Sequence, residues 1–219
     1  MKELMKENIL HVCFDLDGTL IDSHSTIYKS TVTTLNHFSI PHKIDERKFN
    51  NLIGKHFSDI FNEFGIVVDD LPSFIKVYKK IYFDFIDDSK LYPGVADLLK
   101  FLNEKNIDVT LLTTKAQDQA DLIIDHFNLR KYFSIVMGRR EGMAHKPSPE
   151  PLLFICNELN IYPAETLMTG DTELDIQCGK NAGAKTCAVT YGYRSIDVLK
   201  KEQPDYLINR AEEMIKIFV

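Results

Sequence analysis

No apolar stretch in this chain is long enough to cross a bilayer. The run over residues 9–14 is broken by His11 and closed by Asp15, whereas a spanning helix needs about 20 apolar residues. Residues 1–8 alternate Lys and Glu, and no apolar segment follows a basic start, so the beginning does not read as a secretory signal. Nor is there an excess of positive charge. Lys and Arg number 26 against 32 Asp and Glu, for a formal net charge of -6. Such a chain has no bulk electrostatic reason to bind nucleic acid or an anionic membrane, and neither is expected as a partner. A local basic pocket for a small anion is still allowed. Cysteine is scarce: Cys13, Cys156, Cys178 and Cys187 are scattered, with no C-x-x-C pair. Zinc is disfavoured by that scatter and by the lack of a paired His motif. A chain of 219 residues folds without staples. The cysteines therefore read as reduced thiols of a cytoplasmic protein. Internal repeats and low-complexity stretches are also absent.

What is present is the composition of an ordinary globular protein, 44% hydrophobic and 26% charged. Short apolar runs alternate with longer helical periods. Residues 9–14 suit a central parallel strand, apolar on both faces. Further strands are expected over 107–113, 134–137, 167–169, 186–190 and 206–208. Between them, Val95, Leu98, Leu99 and Leu102 fall on one helical face, as do Ala120, Ile123, Ile124 and Phe127. A helix over 149–159 would start with Ser148 as N-cap and prolines in its first turn. Another over 174–182 would stop at Gly183. This alternation predicts an α/β fold with a parallel sheet covered on both faces.

Residues 22–90 break the pattern. Helices are expected over 26–38, 46–54, 57–64 and 71–85, punctuated by Pro41, Gly54, Gly65 and Pro72. The segment Leu91-Tyr92-Pro93-Gly94 reads as a return linker. The first strand is thus separated from the others by a helical insertion. Ligands of open α/β sheets bind beyond the carboxyl ends of the strands, and an insertion leaving from that end would sit over the site.

Four segments carry candidate chemistry. The first strand ends in Asp15-Leu16-Asp17-Gly18-Thr19-Leu20. Two carboxylates so close are tolerable beside a divalent cation, although a polar turn with Gly18 at positive φ also suits them. The segment Gly170-Asp171-Thr172-Glu173-Leu174-Asp175 follows another short strand. Capping by Asp171 or Thr172 explains one acid there but not the cluster. Lys146 lies in the Pro-rich loop His145-Lys146-Pro147-Ser148-Pro149, where most lysines would be plain surface charges. Thr113-Thr114-Lys115 ends the second strand, either as a helix cap or as a hydroxyl with free backbone N–H groups for a phosphoryl oxygen. A parallel sheet would bring these ends together. Two acidic pairs, a lysine and a hydroxyl suit magnesium and a phosphate.

In this order, DLDGTL at Asp15–Leu20, Thr113, Lys146 in HKPSPEP and GDTELD at Gly170–Asp175 resemble the four motifs of the haloacid dehalogenase superfamily. The resemblance covers residues 9 to about 208. The insertion between the first two motifs is similar to the type-1 cap of phosphoglycolate phosphatase-like members. The resemblance implies a Rossmann-like core over 1–21 and 91–219 and an α-helical cap domain over 22–90. It implies a phosphatase in which Asp15 is the nucleophile and becomes an aspartyl phosphate. Asp17 would be the acid, then the base. Mg2+ would be held by the Asp15 carboxylate, the Asp17 carbonyl and Asp171, with Asp175 supporting the metal or orienting Lys146. Thr113 would bind phosphoryl oxygens, and Lys146 would offset the charge of nucleophile and phosphate. Relatives often carry Asn where Thr114 stands. Gly54-Lys55 looks like a cap loop that reaches toward substrate, although a solvated helix-end charge describes Lys55 slightly better.

The expected partner is a small phosphorylated metabolite: phosphoglycolate, pyrophosphate, a sugar phosphate or a nucleoside monophosphate. The cap aromatics Phe57, Phe61, Phe64, Phe74, Tyr78 and Tyr82 read as cap core rather than a substrate cage. A dehalogenase would not need Asp17, and a phosphonatase would need a cap lysine such as Lys55. A sugar phosphomutase keeps all four motifs and is the runner-up. A non-catalytic phosphate-binding regulator would have lost Asp15, Asp17, Lys146 or Asp171, and none is lost. Nothing in the sequence fixes an oligomeric state.

Overall fold

A computed structural model describes residues 8–219. The Lys/Glu-rich start, residues 1–7, lies outside them. In chain order the elements are β1 (His11–Phe14), β2 (Ile21–Asp22), α1 (His24–His37), α2 (Glu46–Asn50), α3 (Phe57–Phe64), α4 (Leu71–Asp84), β3 (Lys90–Leu91) and α5 (Val95–Glu104). They continue with β4 (Asp108–Ala116), α6 (Gln117–His126), β5 (Ile135–Arg139), α7 (Glu150–Leu159), β6 (Thr166–Gly170), α8 (Glu173–Ala182), β7 (Lys185–Val189), α9 (Ile196–Lys201) and β8 (Tyr206–Ile208). The chain divides into two compact units, Met1–Leu20 with Tyr92–Val219, and Ile21–Leu91.

The first unit is an α/β domain, as the alternation of apolar runs implied. Its sheet has the order β5-β4-β1-β6-β7-β8, and every pairing is parallel. β1 lies between β4 and β6, and all four of its residues are buried. His11 interrupts the apolar run at no loss of pairing. Its ring lies 2.7 Å from the Thr110 hydroxyl and 3.0 Å from the Thr166 hydroxyl, one on each neighbouring strand. Two buried hydroxyls thus satisfy a buried imidazole. From β1 the sheet grows outward through β4 and β5, then restarts at β6 on the other side. The carboxyl ends of β1, β4 and β6 are adjacent, which is the topological switch point of such a sheet.

The second unit is helical, closed at its ends by the short antiparallel pair β2–β3. Its core is aromatic. Phe74 is fully buried and meets Phe38, Phe57 and Phe61 at ring-centroid distances of 5.1–6.1 Å. Tyr78 packs on Phe57 and on Tyr82. Phe64 differs, with the Lys48 ammonium over its ring. The buried side of α1 carries Thr26, Ser30, Thr31 and Thr34. Ser30, Thr31 and Thr34 donate to the carbonyls four residues back, which satisfies their hydroxyls within the helix.

Several boundaries differ from the sequence expectation. The helix expected over 46–54 stops at Asn50, and turns carry the chain to α3. Ser148 is not the N-cap of α7; Pro149 holds that position, and the Ser148 hydroxyl accepts from the Glu150 N–H at 3.3 Å. Proline supplies the φ a helix start needs without a donor to satisfy. The first unit also contains α9, which the sequence reading passed over. The expected stop at Gly183 is observed, with a left-handed φ of 78°.

Candidate active site

Asp15 follows β1 directly, and its backbone N–H donates to the Thr169 carbonyl of β6 at 2.9 Å. That bond extends the sheet ladder one residue into the motif. The chain then turns at Gly18 with φ 81°. A Cβ there would collide with the Asp171 carboxylate, so glycine serves both the turn and the close approach of the two acidic segments. Asp171 follows β6, and Thr172 caps α8 in a reciprocal box with Asp175. Thr113 lies near the end of β4, where pairing with β5 shifts register between Leu112 and Ala116. Such bulges re-aim side chains beside sites.

Lys146 links these segments. Its ammonium donates to Asp15 Oδ1 and Asp175 Oδ1, each at 2.6 Å, and to the Leu112 carbonyl at 2.9 Å. The three donors of the ammonium thus have three acceptors, and the side chain is buried. Asp175 Oδ2 accepts from the Thr172 N–H and hydroxyl at 3.0 and 2.6 Å. One carboxylate therefore caps a helix and fixes the lysine. The Lys115 ammonium lies 3.2 Å from Asp17 Oδ2, in a pair whose side chains are each about nine-tenths buried. The Lys115 N–H donates to the Thr113 hydroxyl at 3.3 Å. Thr113 and Lys146 also line one small cavity with Arg139, Arg140 and His145.

The electrostatics are those of crowded acids. Burial pushes the Asp15 carboxyl up to about 7; Lys146 opposes that rise, while Asp175 and Asp17 add to it. Burial, together with Asp15 and Asp175, holds the Asp171 carboxyl well above the usual range. Burial alone would lower the Lys146 ammonium, but Asp15 and Asp175 outweigh it and keep it charged. Burial raises the neighbouring Cys13 thiol, so it packs as core and is not a thiolate.

One ligand oxygen each from Asp15, Asp171 and Asp175 lie within 4.8 Å of one another. Buried carboxylates this close repel unless a cation joins them. An all-oxygen donor set fits a hard divalent ion such as Mg2+ and not a thiophilic one. The residues present therefore fit a hard divalent cation.

The sequence-derived residues Asp15, Asp17, Thr113, Lys146, Asp171 and Asp175 are all buried in the first unit and joined by these contacts. Thr114 is half-buried on the same strand, outside the contacts just described. Lys55 is exposed in the second unit, on the turn before α3. The sequence reading missed Lys115 as a partner of Asp17. Its one signal was a cationic residue two places after Thr113 at a strand end, without a face assigned by alternation. It also missed the loop after β7. There the Tyr193 N–H donates to Asp171 Oδ2 at 2.8 Å, and the Tyr191 hydroxyl donates to the Thr19 carbonyl at 3.1 Å.

Buried carboxylates and a lysine thus stand together at the switch point of a parallel α/β sheet. The chain belongs to the haloacid dehalogenase-like hydrolases, whose family model matches residues 12–189. It is 30% identical over 207 residues to the pyrophosphatase PpaX of Halalkalibacterium halodurans, covering 94% of this chain and 95% of that one. It is 29% identical over 234 residues to the phosphoglycolate phosphatase of Escherichia coli, covering 95% and 92%. A haloacid dehalogenase-like family hydrolase from Streptococcus pneumoniae superposes with a TM-score of 0.87 at 23% identity, covering 97% and 99%, which establishes the shared fold.

Proposed function

We propose that this haloacid dehalogenase-like phosphatase hydrolyses a small phosphate ester or anhydride through a phosphoryl group carried on Asp15. The observation that carries the reading is the buried Lys146 ammonium, shared between Asp15 and Asp175 at 2.6 Å each. An ammonium at that place lowers the repulsion between a carboxylate nucleophile and an anionic phosphate.

In the first step a carboxylate oxygen of Asp15 attacks phosphorus, and a new P–O bond forms as the bond to the leaving oxygen breaks. Asp17 gives its proton to that oxygen. In the second step Asp17 takes a proton from water, the water oxygen attacks the same phosphorus, and the acyl phosphate bond breaks. Orthophosphate leaves and Asp15 is regenerated. Lys115 holds the Asp17 carboxylate in place, and Thr113 with the backbone N–H groups at the end of β4 receives phosphoryl oxygens. Asp15, Asp171 and the Asp17 carbonyl would hold Mg2+, with Asp175 acting chiefly on Lys146. When bound, the ion would offset charge on the carboxylates and the phosphoryl oxygens. The second unit is read as a cap that selects the substrate, with Lys55 as one contact.

The relatives point to pyrophosphate and phosphoglycolate as the first compounds to try. Phosphate release should be measured from a panel of small phosphate esters and pyrophosphate, with Mg2+ and with EDTA. The expected result is Mg2+-dependent release from one or a few compounds, with no isomerised sugar phosphate. Folded, metal-supplied protein that is silent across the panel would contradict the reading.

A further inference from the structure

Asp171 is held on both sides. Its Oδ2 accepts from the Tyr193 N–H at 2.8 Å, and its Oδ1 accepts from the Thr19 hydroxyl at 3.2 Å. The carbonyl of that same Thr19 accepts from the Tyr191 phenol at 3.1 Å. Burial keeps this phenol protonated, so it acts as a donor. Between the two tyrosines, Gly192 leaves no room for a Cβ, which would collide with Asp171 Cβ and the Gly18 carbonyl oxygen. Arg194 then ties the loop to the start of α8, its Nε donating to Glu173 Oε2 at 2.8 Å. Arg194 is itself buried, and its Nη1 and Nη2 have no hydrogen-bond partner among the described residues. A buried guanidinium with unmet donors costs stability. Its place beside Glu173 and Asp171 gives it an electrostatic use, because it lowers the cost of gathering acids there.

We propose that the loop Tyr191–Arg194 is a clamp that positions Asp171 against the turn at Gly18 and so sets the affinity of the site for its divalent cation. These residues act through Asp171, Thr19 and Glu173 and are positioning residues. The proposal rests on the metal-site reading of Asp171 given above. The clamp works because a carboxylate fixed by two donors loses little freedom when it meets a cation. Freed from either donor, it must be ordered at the moment of binding.

The test is direct binding of Mn2+, as a spectroscopic substitute for Mg2+, to the full chain without substrate. Binding is followed by electron paramagnetic resonance and calorimetry for the wild type, Tyr191→Phe and the charge-conserving Arg194→Lys. Tyr191→Phe is expected to weaken Mn2+ binding roughly three- to ten-fold, and Arg194→Lys, which keeps the charge but not the planar Nε contact to Glu173, by less. In parallel, the Mg2+ concentration for half-maximal turnover should rise by more than kcat falls at saturating Mg2+. Melting in EDTA separates a purely structural role. Variants that melt lower in EDTA but bind Mn2+ like the wild type overturn the clamp, as do variants unchanged in both. A wild type that binds no Mn2+ overturns it as well. A wild type that binds Mn2+ more tightly than its variants, yet turns over no phosphate compound, leaves the clamp standing and removes the phosphatase reading alone.

Discussion

The two units bury different things. The first buries ionisable groups beside its strand ends: Asp15, Asp17, Lys146, Asp171 and Asp175. The second buries rings, with Phe49, Phe61, Phe74, Tyr78 and Tyr82 at its centre. Burying an aromatic ring stabilises a fold without further provision. Burying several carboxylates costs stability unless cations and donors surround them. The expensive arrangement is therefore where chemistry is to be sought, and the aromatic one is where stability is to be sought. Substitutions in the two places should fail in different ways.

The largest effect is expected at Asp15. Asp15→Asn keeps the shape and removes the nucleophile, so turnover should fall by roughly a thousand-fold or more, while circular dichroism and melting show a folded chain. Phe74→Ala should do the reverse in kind. It is fully buried among Phe38, Phe57 and Phe61, and its truncation should cost roughly 3–5 kcal/mol in denaturant unfolding. A stable Phe74→Ala protein with a crippled kcat would break the contrast between the units.

His11 sharpens the comparison, because it is a buried polar group of the first unit outside the chemistry. Burial holds its imidazole down at about 4, against 6.5 in the unfolded chain; Asp108 opposes weakly. As pH falls, the unfolded chain binds a proton first. Stability should be complete above about pH 6.5, decline as pH falls toward 4, and level off below, with a loss of roughly 3 kcal/mol. His11→Gln should be less stable at neutral pH but flatter across that window in urea midpoints. The smallest effect is expected from Lys115→Met, which removes the ammonium 3.2 Å from Asp17. A loss of about ten-fold in kcat is expected of a group that orients the acid, with a lower melting temperature because Asp17 loses a buried cation.

Much of the first unit was legible because its strands are short apolar runs with a polar motif at the carboxyl end. Parallel topology then forces those ends together, so the gathering of the candidate residues followed from the fold. Lys115 was harder to read because the register shift between Leu112 and Ala116 removes the simple alternation that tells which face a strand residue takes. The Tyr191–Arg194 loop was harder still. Its main contact to Asp171 is a backbone N–H from Tyr193, and no side-chain type announces a backbone donor. In the second unit, aromatic residues at helical spacing marked α3 and α4. The end of α2 at Asn50 was not legible, because turns continue the helical spacing through Gly54.

The proposed chemistry requires Asp15 to carry the phosphoryl group. It is tested most directly by acid-quenching a single turnover of the best substrate with Mg2+ and mapping protein-bound phosphate by mass spectrometry. A transient phosphoryl group is expected on the peptide that contains Asp15, absent from Asp15→Asn. Full turnover with no protein-bound phosphate at any quench time, or with phosphate on another residue, would contradict it.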